Sequence, residues 1–371
     1  MVPVEIDAIE QVPDAPAVFL IWPREDGAGQ PYLGRTGLLR RRLSRLLKKR
    51  DTPSKILNLR EVAGRIEYAL TGSQLESTLL FYRLARLHFP DSYLKMIKLR
   101  MPAYVKLILS NAFPRVSVTS RVSGGASLYY GPFRTRAQAE LFSGQFLDLF
   151  QIRRCEENLN PNAAHPGCIY GEMNMCLRPC QEVVTVEQYA TEVERVSQFL
   201  KTDGLALIEK TSATRDRLSE EMDFEEAAKM HRKIERIRQI LTLRDDLVCD
   251  LEKLHGVAVA QSAVTGVLNL FVIREGWWQG PVAFELNAGS ASLDRRLRDA
   301  VHSAAASGKN GTASERQEHL ALLAKWFYSS WRDGEFLQAD SFEELSYRKL
   351  VNAVARVAKG AVTAAAPSER T

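Results

Sequence analysis

The chain has 371 residues, 45% hydrophobic and 26% charged, the balance of a soluble globular protein long enough for about two to four packed units. Fifty Lys and Arg against 45 Asp and Glu give a formal charge of +5, too weak a bias to identify a nucleic-acid partner by itself. Glu5, Asp7, Glu10 and Asp14 exclude a secretory signal peptide, and the longest apolar runs, Pro16 to Trp22 and Val264 to Ile273, are too short to cross a bilayer. A cytoplasmic location and no membrane partner are therefore expected.

Ala17 to Trp22 and Pro31 to Arg35 read as short strands joined by a turn-rich Arg24 to Gln30 segment, whose Asp26-Gly27 pair favours a hairpin. Leu38 to Lys49 places Leu39, Leu43, Leu46 and Leu47 at helical spacing, and Arg40, Arg41, Arg42, Arg45 and Lys48 fill the other face. Ile66 to Leu70 reads as a third strand, and a helix from Ser73 to His88 ends before Pro90. Ala103 to Leu109, Arg115 to Thr119 and Tyr129 to Phe133 return to strands, and Thr135 to Phe150 is helical. Cys155 to Cys180 has little periodicity and holds four of the five cysteines. Helices are expected at Val186 to Lys201 and Leu205 to Leu241, the second broken at Met222-Asp223 into a hairpin. Strands over Gly256 to Leu286 and two further helices precede an Ala-rich tail, Lys359 to Thr371, which reads as disordered.

Cys155, Cys168, Cys176 and Cys180 have the spacing C-x12-C-x7-C-x3-C. Disulfides are disfavoured in the reducing cytosol, so the cluster points to metal. Four thiols suit tetrahedral zinc or an iron–sulfur cluster, with His165 as a substitute ligand for zinc, and spacing alone does not separate the two. For Tyr129, Tyr130, Trp277 and Trp278, core packing is favoured over base stacking.

Ala17-Val18-Phe19 with Tyr32-Leu33-Gly34, then Phe113-Pro114-Arg115, Tyr130-Gly131-Pro132-Phe133 and the cysteine block follow one another in an order that resembles the N-terminal half of the UvrC family of excinuclease subunits. The resemblance implies an α/β multidomain architecture. A GIY-YIG-like module would span 1–95, a strand, helix and cysteine region 96–200, a UVR helical hairpin 201–243 and an α+β region 250–358, before a tail at 359–371. It implies a [4Fe-4S] cluster on the four cysteines in preference to zinc. Met222 to Ala228 looks like the UVR motif that pairs with UvrB, which assigns Phe224, Glu225, Ala227, Ala228 and Ile234 to a UvrB-like partner. His231 and Arg232 depart from that motif's usual basic–acidic pair. No counterpart of the family's RNase H-like domain follows, so the 5′ incision is not expected.

The resemblance also assigns roles at the first module. Tyr32 and Arg42 stand at the family's catalytic tyrosine and arginine positions. Arg35 replaces a lysine, which keeps the charge but loses a deprotonatable amine, and Phe19 replaces a tyrosine. Phe81 stands where the family has the glutamate that ligates magnesium, which phenylalanine cannot do. Glu76, five residues earlier, is about 500° away around a helix and points elsewhere. Magnesium is therefore expected only if some nuclease activity survives. Arg40, Arg41, Arg45, Lys48, Lys49 and Arg50 are assigned to DNA phosphates. The leading expectation is a protein that binds damaged duplex and UvrB but is impaired in incision. The alternatives are an active 3′ endonuclease and a UvrB-binding regulator without DNA binding.

Overall fold

A computed structural model describes residues 1–24, 29–49, 57–157, 159–307 and 311–365, with side chains as far as Gly360 except at residue 307. It is a mixed α/β protein with three antiparallel four-stranded sheets. The first contains β1 (Val2–Val4), β2 (Ala17–Pro23), β3 (Tyr32–Thr36) and β4 (Ala63–Leu70) in the order β1-β4-β2-β3. β2 is an unbroken apolar run because it is an inner strand with both faces covered. Ala17, Phe19 and Ile21 pack with Leu39 and Leu43 of α1 (Leu39–Leu47), and Val18 and Leu20 pack with Ala85 of α2 (Gln74–His88). The hairpin expected between β2 and β3 is present, while Asp26-Gly27 lies outside the described residues. A short α3 (Tyr93–Ile97) follows.

The second sheet has β5 (Ala103–Ile108), β6 (Arg115–Thr119), β7 (Ser127–Phe133) and, from far along the chain, β8 (Cys249–Asp250). Its apolar face is closed by α4 (Arg136–Leu147) and α6 (Val186–Lys201), through stacked Phe142, Phe146 and Phe199. Between these helices lie the cysteine segment and its one-turn α5 (Ile169–Glu172). The hairpin of α7 (Leu205–Glu220) and α8 (Phe224–Leu241) breaks where expected: Met222 has a left-handed φ of 60°, and Asp223 caps α8 by accepting from Glu226 N.

The third sheet, in the order β11-β10-β9-β12, comprises β9 (His255–Gln261), β10 (Val267–Arg274), β11 (Trp277–Glu285) and β12 (Glu335–Ala339). α9 (Leu293–Ser307) and α11 (Tyr347–Ala365) cover one face, and α10 (Ala313–Phe327) packs on the other. α11 corrects one expectation: residues 359–365 continue a helix rather than a disordered tail, because the periodic Leu350, Ala353, Val354 and Val357 anchor it on the sheet. Residues 366–371 lie outside the described residues. Tyr129, Tyr130 and Trp277 are buried and Trp278 half-buried, as packing residues should be.

One apolar cluster joins the three sheets: Leu75, Leu79 and Tyr82 of α2 meet Tyr104 and Tyr129 of the second sheet and Phe271, Leu320 and Trp326 of the third region. Two carboxylates of α10 hold part of its polar rim, while the buried Tyr104 hydroxyl has no hydrogen-bond partner among the described residues. Buried Glu318 accepts from Tyr82 Oη at 2.7 Å and Tyr93 Oη at 2.8 Å, and Arg86 pairs with Glu315.

Candidate nucleic-acid face and cysteine site

β3 ends beside α1 and α2, and this junction gathers the residues expected at the nuclease-like centre. Arg42, on the first turns of α1, donates from Nη2 to Tyr32 Oη at 3.2 Å. Phe19 is fully buried opposite Gly34, where a Cβ would lie 2.5 Å from its ring, so Phe19 serves as a core residue beneath the site. Its ring is tilted against Tyr32, with centroids 6.1 Å apart.

Arg35 closes the other side. Its Nη1 donates to Thr78 Oγ1 at 3.3 Å, and its guanidinium lies 5.6 Å from the Phe81 ring centroid, a cation–π contact. A guanidinium over an aromatic ring thus stands where the resemblance expects a carboxylate and a divalent ion. Thr78 belongs to no motif, and its only sequence signal is its place three residues before Phe81 on the same helix face. Glu76 is turned away: its carboxylate accepts from Gly72 N at 2.7 Å, and burial raises its pKa.

Of the expected phosphate contacts, Arg40, Arg45, Lys48 and Lys49 are exposed and form no ion pair among the described residues. Lys48 and Lys49 lie just beyond α1, which ends at Leu47. Arg41 differs: its Nε pairs with Asp14 Oδ2 at 2.8 Å, and its backbone N–H bonds the same carboxylate. Asp14 is 27 residues away, so nothing local in the sequence marks the pair. Arg50 lies outside the described residues.

In the cysteine segment, Cys155 and Cys168 are half-buried, Cys176 and Cys180 are buried, and all are free thiols. Burial pushes the Cys176 thiol up to about 11, and the neighbouring Cys155, Cys168 and Cys180 add to the rise. Cys176 Sγ accepts from Arg178 N at 3.4 Å, and Arg153 Nη1 approaches Cys155 Sγ at 3.7 Å. Left-handed Gly167, Asn174, Arg178 and Glu182 shape the segment. Among the described residues no three His, Cys, Asp or Glu side chains close on a single metal position. His165 Nδ1 accepts from Gly167 N at 3.0 Å, which uses that nitrogen's lone pair. Cys249 is separate, buried in the cluster that joins the sheets.

In the hairpin, Phe224 is 66% exposed, and Glu225 and Ala228 are also exposed. Ala227 and Ile234 face inward, and Ile237 and Ile240 join the chain's own core. A partner can therefore reach the start of α8, while the rest of the stripe is already packed.

Residues 103–199 match the family model for the UvrC/Cho excinuclease, middle domain. The chain is similar to UvrC proteins beyond that stretch as well. UvrABC system protein C of Lachnospira eligens is 24% identical over 272 residues, 73% of this chain and 44% of that protein. The protein of the same name from Methanothermobacter thermautotrophicus is 26% identical over 282 residues, 76% and 47% of the two chains. That of Acetivibrio thermocellus is 24% identical over 329 residues, 86% and 52%. The chain thus spans about half the length of these UvrC proteins. No solved structure matches it. No helix among the described residues is long and apolar enough to cross a membrane.

Proposed function

We propose that this UvrC relative is a DNA-binding component of nucleotide excision repair that engages a UvrB-like partner and does not itself make a metal-dependent cut at its GIY-YIG-like centre. The observation that carries the reading is Arg35 lying over Phe81. Phosphodiester hydrolysis in such a centre needs a carboxylate to hold the divalent ion, and Glu76 is committed to the start of its own helix. What remains is a tyrosine held by an arginine, a second arginine at the strand end, and four exposed cations along and after α1. That set can neutralise phosphates without activating water, giving salt-dependent, sequence-independent binding.

The test is incision of a lesion-bearing duplex by anaerobically purified protein with UvrB loaded, with and without Mg²⁺, beside Phe81→Glu. The unaltered protein is expected to retain the duplex without nicking it, and the glutamate variant to gain Mg²⁺-dependent nicking. Mg²⁺-dependent nicking by the unaltered protein would establish the endonuclease reading instead.

We extend this to a [4Fe-4S] cluster on donor chemistry alone: four free thiols in one segment, with an N–H donor on Cys176, although among the described residues no three of them close on one metal position. Cys155, Cys168, Cys176 and Cys180 would hold it, and it would order a segment with little periodicity of its own. Metal analysis is expected to find about four iron and four acid-labile sulfide per chain. One zinc and no sulfide would replace the cluster with a structural zinc.

A further inference from the structure

A second feature lies beside Arg35, where the first module meets the third sheet region. A polar cavity of about 350 Å³ is lined by Arg35, Thr71, Ser73, Gln74, Ser77 and Asp333. Its wall includes the N-terminus of the 15-residue α2, where the helix dipole favours an anion and where Gln74 N and Glu76 N already have acceptors in Asp333 Oδ2 and Ser73 Oγ. Thr71 is 2% exposed, and its hydroxyl has no hydrogen-bond partner among the described residues. A buried hydroxyl left without a partner costs free energy that a ligand oxygen can recover. Ser77, also buried, adds a second hydroxyl.

The charge pattern selects the ligand. Arg35, which spends one N–H on Thr78, is the cation of the lining. Against it stands one lining anion, Asp333. Asp333 Oδ2 accepts from Gln74 N at the start of α2, and Oδ1 accepts from Trp326 Nε1 at 3.2 Å. The Asp333 carboxylate thus does at this helix start what a phosphate oxygen would do.

We propose that this cavity is a phosphodiester subsite for the DNA backbone, with Arg35, Thr71 and Ser77 as its ligating side chains and Asp333 as a built-in anion that keeps its affinity low. The assignment to DNA rests on the DNA-binding reading above; the anion chemistry of the cavity does not. The third region thereby shares a site with the first module. Phosphate held there would be held by one guanidinium and two hydroxyls, with no divalent ion required.

Two arms test it on the full chain. Thermal melting in inorganic phosphate against chloride at equal ionic strength is expected to raise the melting temperature of the unaltered protein and not of Thr71→Val/Ser77→Ala. Fluorescence anisotropy on a duplex in EDTA is expected to show the double variant weakened about three- to tenfold and Asp333→Asn tightened by a similar factor, the scale of one charge or hydrogen-bond contact in a half-exposed site. Asn keeps an oxygen for Gln74 N, and Val keeps the shape of Thr, so both variants should fold; melting in chloride checks this. Equal phosphate responses in the unaltered and double-variant proteins would overturn the subsite. A lost phosphate response with unchanged duplex affinity would overturn the DNA assignment and leave a site for free phosphate. An unchanged Asp333→Asn would overturn the role of that carboxylate. If the unaltered protein fails to bind duplex at all, the DNA-binding reading falls and takes the DNA assignment with it, while the phosphate arm still decides the cavity.

Discussion

At the residue scale, Phe81 and Gly72 decide the most. Phe81 is half-buried and gives Arg35 an aromatic face, so the cation rests on a ring at the position where the resemblance expects a carboxylate. Gly72 works by what it lacks. A Cβ there would lie 2.1 Å from the Ser262 backbone carbon, so the turn before α2 touches the β9–β10 turn main chain to main chain. Gly72→Ala must push the two regions apart. It is expected to lower stability by about 1–3 kcal/mol, the usual cost of overpacking, read as an earlier midpoint in urea unfolding. An unchanged midpoint would mean that the contact gives way easily.

At the scale of elements, one stripe of the α7–α8 hairpin divides between two duties, packing in the chain's own core and the contact proposed with a UvrB-like partner. Phe224 is exposed at the start of α8, whereas Ile234, Ile237 and Ile240 are buried against the chain's own helices. Phe224→Ala should therefore leave thermal stability nearly unchanged and weaken UvrB binding, while Ile234→Ala should cost about 2–5 kcal/mol in stability. Calorimetry and a pull-down with UvrB separate the two. Equal loss of stability in both variants would refute this division. α10 is the second element with two duties. Its Glu315 and Glu318 bind Arg86, Tyr82 and Tyr93 on the first module, and its apolar residues close the third sheet.

For the whole molecule, the joint between the first and third regions has a pH signature. His319 on α10 accepts from Trp278 N through Nδ1 at 3.1 Å, which requires the neutral ring with its proton on Nε2. Burial pulls its pKa from 6.5 down to about 4, opposed by nearby Glu315 and reinforced by Arg86 and Arg83. The unfolded chain then binds the proton that the folded chain refuses between these values, so stability rises with pH across that window. The contribution is fully present above about pH 6.5 and is lost as pH falls toward 4, about 3 kcal/mol in all. Denaturant unfolding of the unaltered protein and His319→Gln between pH 7 and 4 should show the variant's curve flatter by about that amount. Parallel curves would remove His319 as the source.

The sequence by itself determined what is local. The unbroken apolar run of β2, the leucine spacing of α1, the break at Met222-Asp223 and the crowding of four cysteines all follow from patterns a few residues long. So does the absence of a carboxylate at position 81. What the tertiary structure decided is what depends on partners far along the chain. Arg41 is tied to Asp14, most of the α8 stripe is already buried, residues 359–365 are helical, and Asp333 reaches the start of α2 from 259 residues away. The physical reason is that periodicity shows which face of an element is apolar, not whether that face meets its own chain or another, and that an ion pair leaves no trace in the spacing of either partner.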